Sequence, residues 1–105
     1  MSTNNAIITR EEVSEQFAIA LSVLLRYEQR GLIHAVSNGP IEGYEPTEIR
    51  RIWTVVSLHR DLGINLAGVE AIVRLQSHVF EMHAQLEQLA SRLTEMLKQE
   101  ADHQG

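Results

Sequence analysis

The residues best suited to chemistry with a partner stand together in the stretch Ala20 to Ile33, which reads ALSVLLRYEQRGLI. Leu21, Leu24 and Leu25 recur there at helical spacing with Val23 beside them, which predicts an amphipathic helix of about three turns with the leucines inward. Gly31 ends it in a left-handed cap. The opposite face carries Ser22, Arg26, Gln29 and Arg30. Were this helix to enter the major groove of a duplex, Arg26 and Arg30, with Tyr27 beside them, would reach phosphates or guanine edges. The alternative is a buried Tyr27 whose neighbour Arg26 is tied to Glu28 or to the hairpin that follows.

Other chemistry finds little support. The five histidines, His34, His59, His78, His83 and His103, are scattered. His78 and His83 are five residues apart, whereas two ligands sharing one helical face stand about four apart. No nucleophile with a nearby base, glycine-rich phosphate loop or pair of catalytic carboxylates is present, so no catalytic residue, metal ligand or cofactor site is expected. Trp53 and Tyr44 are expected in the core.

Composition narrows the classes further. With 105 residues, 44% of them hydrophobic, the chain suffices for one small core, and a partner copy would add to its stability. It has no cysteine, which excludes disulfides and thiolate metal sites. The N-terminal MSTNNAIITREE lacks a basic region followed by an apolar one. No uncharged apolar run approaches the roughly 20 residues of a membrane span, so a soluble, cytoplasmic protein is expected. Nine basic residues against 14 acidic ones leave a net charge of −5, which repels a nucleic-acid polyanion unless the arginines gather on one face.

Several elements must position these residues. Met1 to Ile7 reads as a frayed tail. Thr9-Arg10-Glu11-Glu12 fits a capping box opening a helix over about residues 10–16, with Val13 and Phe17 inward. Ala18-Ile19-Ala20 is the turn to the next helix, though such turns usually place glycine first and a serine or threonine cap last. Leu32 to Val36 has strand character, Ser37-Asn38-Gly39-Pro40 is a turn, and Ile41 to Tyr44 returns as a second strand. Glu45-Pro46-Thr47-Glu48 opens a further helix, whose inner face is Ile49, Ile52, Trp53, Val56 and Leu58 to Leu62. Gly63 caps it, and Asn65 caps the next.

That last helix is expected from about Leu66 to Gln99. Ile72, Leu75, Val79, Met82, Leu86, Leu89, Leu93 and Met96 are spaced alternately three and four apart, an unbroken heptad seam. A helix of about 34 residues is roughly 50 Å long, more than so small a domain can cover, so a homodimer through the seam is expected. The division expected is a domain over residues 1–63, the long helix over 64–99 and a polar tail over 100–105.

The order of helix, turn, LLRYEQRGLI, hairpin, Tyr44 with Glu48-Ile49, and LHRDLGINLAGVEAIVRL resembles the N-terminal winged helix of the MerR superfamily over about residues 7–99. Leu62 to Leu75, LGINLAGVEAIVRL, is most similar to the HspR-like repressors and to the chaperone modulatory protein CbpM family. The implied fold is a mainly all-α winged helix-turn-helix with a small β-hairpin wing and a long C-terminal coiled-coil helix.

Departures from the pattern bear on function. DNA-binding members usually carry a wing resembling GYRLY, whereas this chain, aligned on Tyr44, reads Pro40-Ile41-Glu42-Gly43-Tyr44. Between Arg30 and Arg50 it has no lysine or arginine. An acidic wing forfeits phosphate contacts, and in length and acidic balance the chain resembles the CbpM family. That resemblance implies a modulator that binds the J-domain of a DnaJ/CbpA-like co-chaperone and inhibits its cooperation with Hsp70. Glu28, Glu42, Glu45 and Glu48 would then form the surface for a basic J-domain helix. The competing expectation is a dimeric MerR/HspR-type transcriptional regulator with Arg26, Tyr27 and Arg30 on DNA.

Overall fold

Thr9 does two jobs at the start of the chain. In the computed structural model, which describes residues 6–104, it ends strand β1 (Ile8–Thr9) and caps helix α1 (Arg10–Phe17). Its Oγ1 accepts from the Glu12 amide at 3.2 Å, and its own amide donates to Glu12 Oε1 at 2.9 Å, the reciprocal pair that its spacing predicts. Residues 1–5 of the expected tail lie outside the described residues.

Helix α1 ends with Ala18 in the left-handed region (φ 53°), where the Ala18 amide donates to the Glu15 carbonyl and the Ile19 amide to that of Ser14. This is a Schellman closure, normally built on glycine. Helix α2 (Leu21–Gln29) starts from Ala20, which has no side chain to cap it. It closes the same way: Gly31 (φ 73°) donates to Glu28 and Leu32 to Tyr27.

Strand β2 (Val36–Asn38) and strand β3 (Ile41–Tyr44) form an antiparallel hairpin in which Asn38 faces Ile41. The turn is Gly39-Pro40, and the positive φ of Gly39 suits a turn whose first central residue is glycine. The wing has three strands, in the order β1-β3-β2, where two were expected. Ile8 pairs with Tyr44 and Thr9 with Gly43. Gly43 permits this approach, because a Cβ there would lie 2.1 Å from the Ile8 carbonyl oxygen. Leu32 and Ile33, expected to be strand, are buried loop residues.

After a 3-10 turn over Pro46–Glu48, helix α3 (Ile49–Val56) buries Ile52, Val55 and Val56. Trp53 and Leu62, expected inward, are 62% and 68% exposed. Trp53 follows Ile52 by about 100° around the helix, which turns it away from the buried stripe. A π-helical turn over Ser57–Asp61 widens the end of α3, and Gly63 (φ 73°) reverses the chain. Helix α4 (Leu66–Gln104) then starts from Asn65, whose Oδ1 accepts from the Gly68 amide at 2.8 Å.

The chain falls into two compact units, one ending at Glu70 and the other starting at Ala71. Leu66 and Val69 are buried with the core of the first unit, which therefore extends past Gly63 into α4. Its most buried side chains include Val13, Leu24, Tyr27, Ile33, Tyr44 and Ile52. The second unit is the remainder of α4, helical through Gln104, so the expected polar tail continues the helix. From Leu75 to Met96 the seam side chains are between 53% and 64% exposed.

Candidate nucleic-acid interface

Helix α2 turns Leu24 and Tyr27 into the core, and with them half-buried Val23 and Glu28. The remaining positions, Leu21, Leu25, Gln29, Ser22 and Arg26, are exposed and adjacent around the helix, covering about 140° of arc. Leu21 and Leu25, expected inward, are 40% and 44% exposed because the buried stripe runs through Leu24 and Tyr27 instead. Among the described residues Arg26 has no hydrogen-bond or ion-pair partner. Arg30 is paired with Glu70 of α4.

Tyr27 is wholly buried, with its hydroxyl 2.7 Å from His59 Nδ1. Its ring meets the imidazole edge-on at 5.5 Å between centroids, and burial pushes the phenol above its ordinary pKa. It therefore joins α2 to the widened turn after α3 and is not presented to a groove. Arg60 in the same turn donates to the carbonyls of Phe17 and Ala18, filling acceptors that the end of α1 leaves open.

The polar network beside α2 rearranges the expected acidic surface. Arg10 grips Glu28 with its Nε and Nη2 at 2.8 and 3.0 Å and reaches Glu42 on the wing with Nη1 at 2.9 Å. Tyr44 donates its hydroxyl to the same Glu28 carboxylate. Burial pushes the Glu28 carboxyl upward, but the bonds from Arg10 and Tyr44 outweigh it and hold the group below the usual carboxylate range. The Tyr44 hydroxyl is pushed up by burial and by its bond to Glu28. Arg10 holds its proton more tightly still, chiefly through Glu28 and then Glu42.

Glu28 thus belongs to the interior and not to a docking surface. Glu48 is likewise engaged, accepting from the His34 amide at 2.9 Å. Of the four glutamates expected on one surface, only Glu42 and Glu45 are exposed, and Glu42 is already paired. The arginine tied to Glu28 and the wing is Arg10, not Arg26. Its partners stand 18 and 32 residues further on, beyond the reach of any local pattern.

Two short helices joined by a three-residue turn, the second with a polar and apolar outward arc, and a three-stranded wing tied to both, make up a winged helix-turn-helix. The family described as MerR HTH family regulatory protein matches residues 8–91, and the chain belongs to it. A heat shock protein HspR of Streptomyces coelicolor (strain ATCC BAA-471 / A3(2) / M145) is 34% identical over 71 residues. That match takes in 67% of this chain and 47% of the relative, so the chain spans about half of that protein's length. No solved structure matches the chain. Among the described residues no cluster of three or more histidine, aspartate or glutamate side chains could hold a metal ion, and no helix is long and apolar enough to cross a membrane.

Proposed function

We propose that this chain is a DNA-binding regulator of transcription in the cytoplasm, acting as a dimer with α2 in the major groove and linked, by its likeness to a heat shock protein, to a heat-shock setting. The observation that carries this reading is the engagement of Arg10 with both Glu28 and Glu42. It sets a cation against the wing's Glu42, which stays exposed, and holds Glu28 off the outward arc of α2, which carries no acidic residue and one free cation, Arg26. An acidic wing is then less repulsive to phosphate than the sequence alone suggests. The heptad seam from Ile72 to Met96 supplies the second copy, and two copies of α2 would read two half-sites about 34–36 Å apart.

The test is selection from a random duplex library followed by fluorescence anisotropy. An inverted repeat bound at submicromolar Kd, weakened at least tenfold by Arg26→Ala, supports the proposal. Binding to random duplex should stay weak at near-physiological salt, because a net charge of −5 gives little counterion release. The reading as a J-domain modulator rests on the exposed Glu42 and Glu45 and on the lack of any basic residue between Arg30 and Arg50. Calorimetry against the J-domain of a DnaJ/CbpA-like co-chaperone separates the two. Heat of binding that falls when Glu42 and Glu45 become lysine, with no duplex enriched by selection, would put the modulator first.

A further inference from the structure

We infer that Leu21 and Leu25 read thymine methyl groups, so that the preferred half-site pairs one or two thymines with the base or phosphate contacted by Arg26; this rests on the DNA-binding reading above. A helix in the major groove presents its outward arc to base edges, and here that arc holds Leu21, Ser22, Leu25, Arg26 and Gln29. Two of the five are leucines, one turn apart on the same side, at 40% and 44% exposure. The buried stripe of α2 runs through Leu24 and Tyr27 and does not need them.

Thymine's C5 methyl is the apolar feature that the major groove offers, and a leucine pressed against it removes both surfaces from water. Cytosine and purines offer no such group at that position. Charge agrees with this occupant. The single carboxylate of α2, Glu28, is turned inward onto Arg10 and Tyr44, so nothing on the arc repels the duplex, and Arg26 adds a free cation at the end of the arc opposite the leucines. Ser22 and Gln29 complete an arc able to donate to base edges.

Uridine substitution tests the idea without altering the protein. Thymines of the selected duplex are replaced one at a time by deoxyuridine, which differs only in lacking the methyl, and each duplex is titrated by anisotropy. The expected result is a loss of about fourfold at each of one or two positions per half-site and no change elsewhere. Leu25→Ala and Leu21→Ala should each abolish the sensitivity at one position while leaving the Arg26 contact intact. Both replacements are at exposed positions, so circular dichroism should show the wild-type fold.

Tight binding that depends on Arg26 but is indifferent to every uridine substitution would overturn the inference and leave the DNA-binding reading standing. Uridine sensitivity that persists in both leucine variants would overturn it in the same way. Failure of the folded protein to bind any duplex, with a protein partner contacting Leu21 and Leu25 instead, would overturn the inference together with that reading.

Discussion

Glu28 shows how one side chain sets the geometry around it. Its carboxylate accepts from Arg10 of α1 and from Tyr44 of β3 while standing on α2, so three elements meet at one anion. Replacing it by glutamine leaves a charge on Arg10 half-matched and weakens two charge-assisted bonds. A loss of about 2 kcal/mol is expected, read as a drop of about 10 °C in Tm for a domain of this size. The pH dependence has a definite sign. Because the folded carboxyl lies below its usual value of 4.5, the stability it contributes is present above about pH 4.5 and is lost as pH falls through the lowered value. Thermal melts from pH 7 to pH 3 should therefore fall more steeply for the wild type than for Glu28→Gln; parallel curves would remove Glu28 from the account. Ala18 is the other residue under constraint, held at φ 53° where a Cβ is disfavoured by about 1 kcal/mol or more.

At the scale of elements, the helix-turn-helix is held by packing and by Arg60 in place of local turn chemistry. Ala18 stands where glycine would relieve strain, and Ala20 where a hydroxyl would cap α2. Ala18→Gly and Ala20→Ser should each stabilise the chain by about 1 kcal/mol, a rise of about 4–8 °C in Tm by circular dichroism. The wing is constrained in the opposite sense. Gly43→Ala drives a methyl into the Ile8 backbone and should expel β1 from the sheet, which limited proteolysis would reveal as cleavage near Ile8. On α3, Trp53→Ala should cost less than about 0.5 kcal/mol, against about 3 kcal/mol for Ile52→Ala, which opens a cavity in the core. Equal losses by denaturant titration would contradict the observed orientation of α3.

For the whole molecule the question is assembly. The seam residues from Leu75 to Met96 are more than half exposed within one chain, an apolar stripe whose burial against a second copy would be favourable. Sedimentation at tens of micromolar should show a dimer. Converting Leu86 and Leu89 to glutamate should give a monomer that retains the fold of residues up to Glu70, since an unpaired charge would otherwise be buried at each position. A monomeric wild type would end the dimer proposal and with it the two half-site geometry.

The sequence by itself determined whatever depends on neighbours a few residues apart. The Thr9 to Glu12 capping box, the glycine stops at Gly31 and Gly63, the Asn65 cap, the hairpin turn and the long last helix that carries the heptad period all rest on local signals, and each is present as expected. The family was legible too, because its pattern is a string of such local signals. Tertiary structure alone decided which face of each helix is buried and which charges meet. Leu21, Leu25 and Trp53 count as core residues in any apolar tally, and only the packing of Leu24, Tyr27 and Ile52 turns them outward. Arg10 is indistinguishable in the sequence from any arginine in a first helical turn. Its partners come from α2 and β3, and an ion pair across 32 residues has no periodicity to announce it. How much negative charge the wing presents depends on that contact, because a carboxylate's effect on a partner depends on whether a neighbouring cation already holds it.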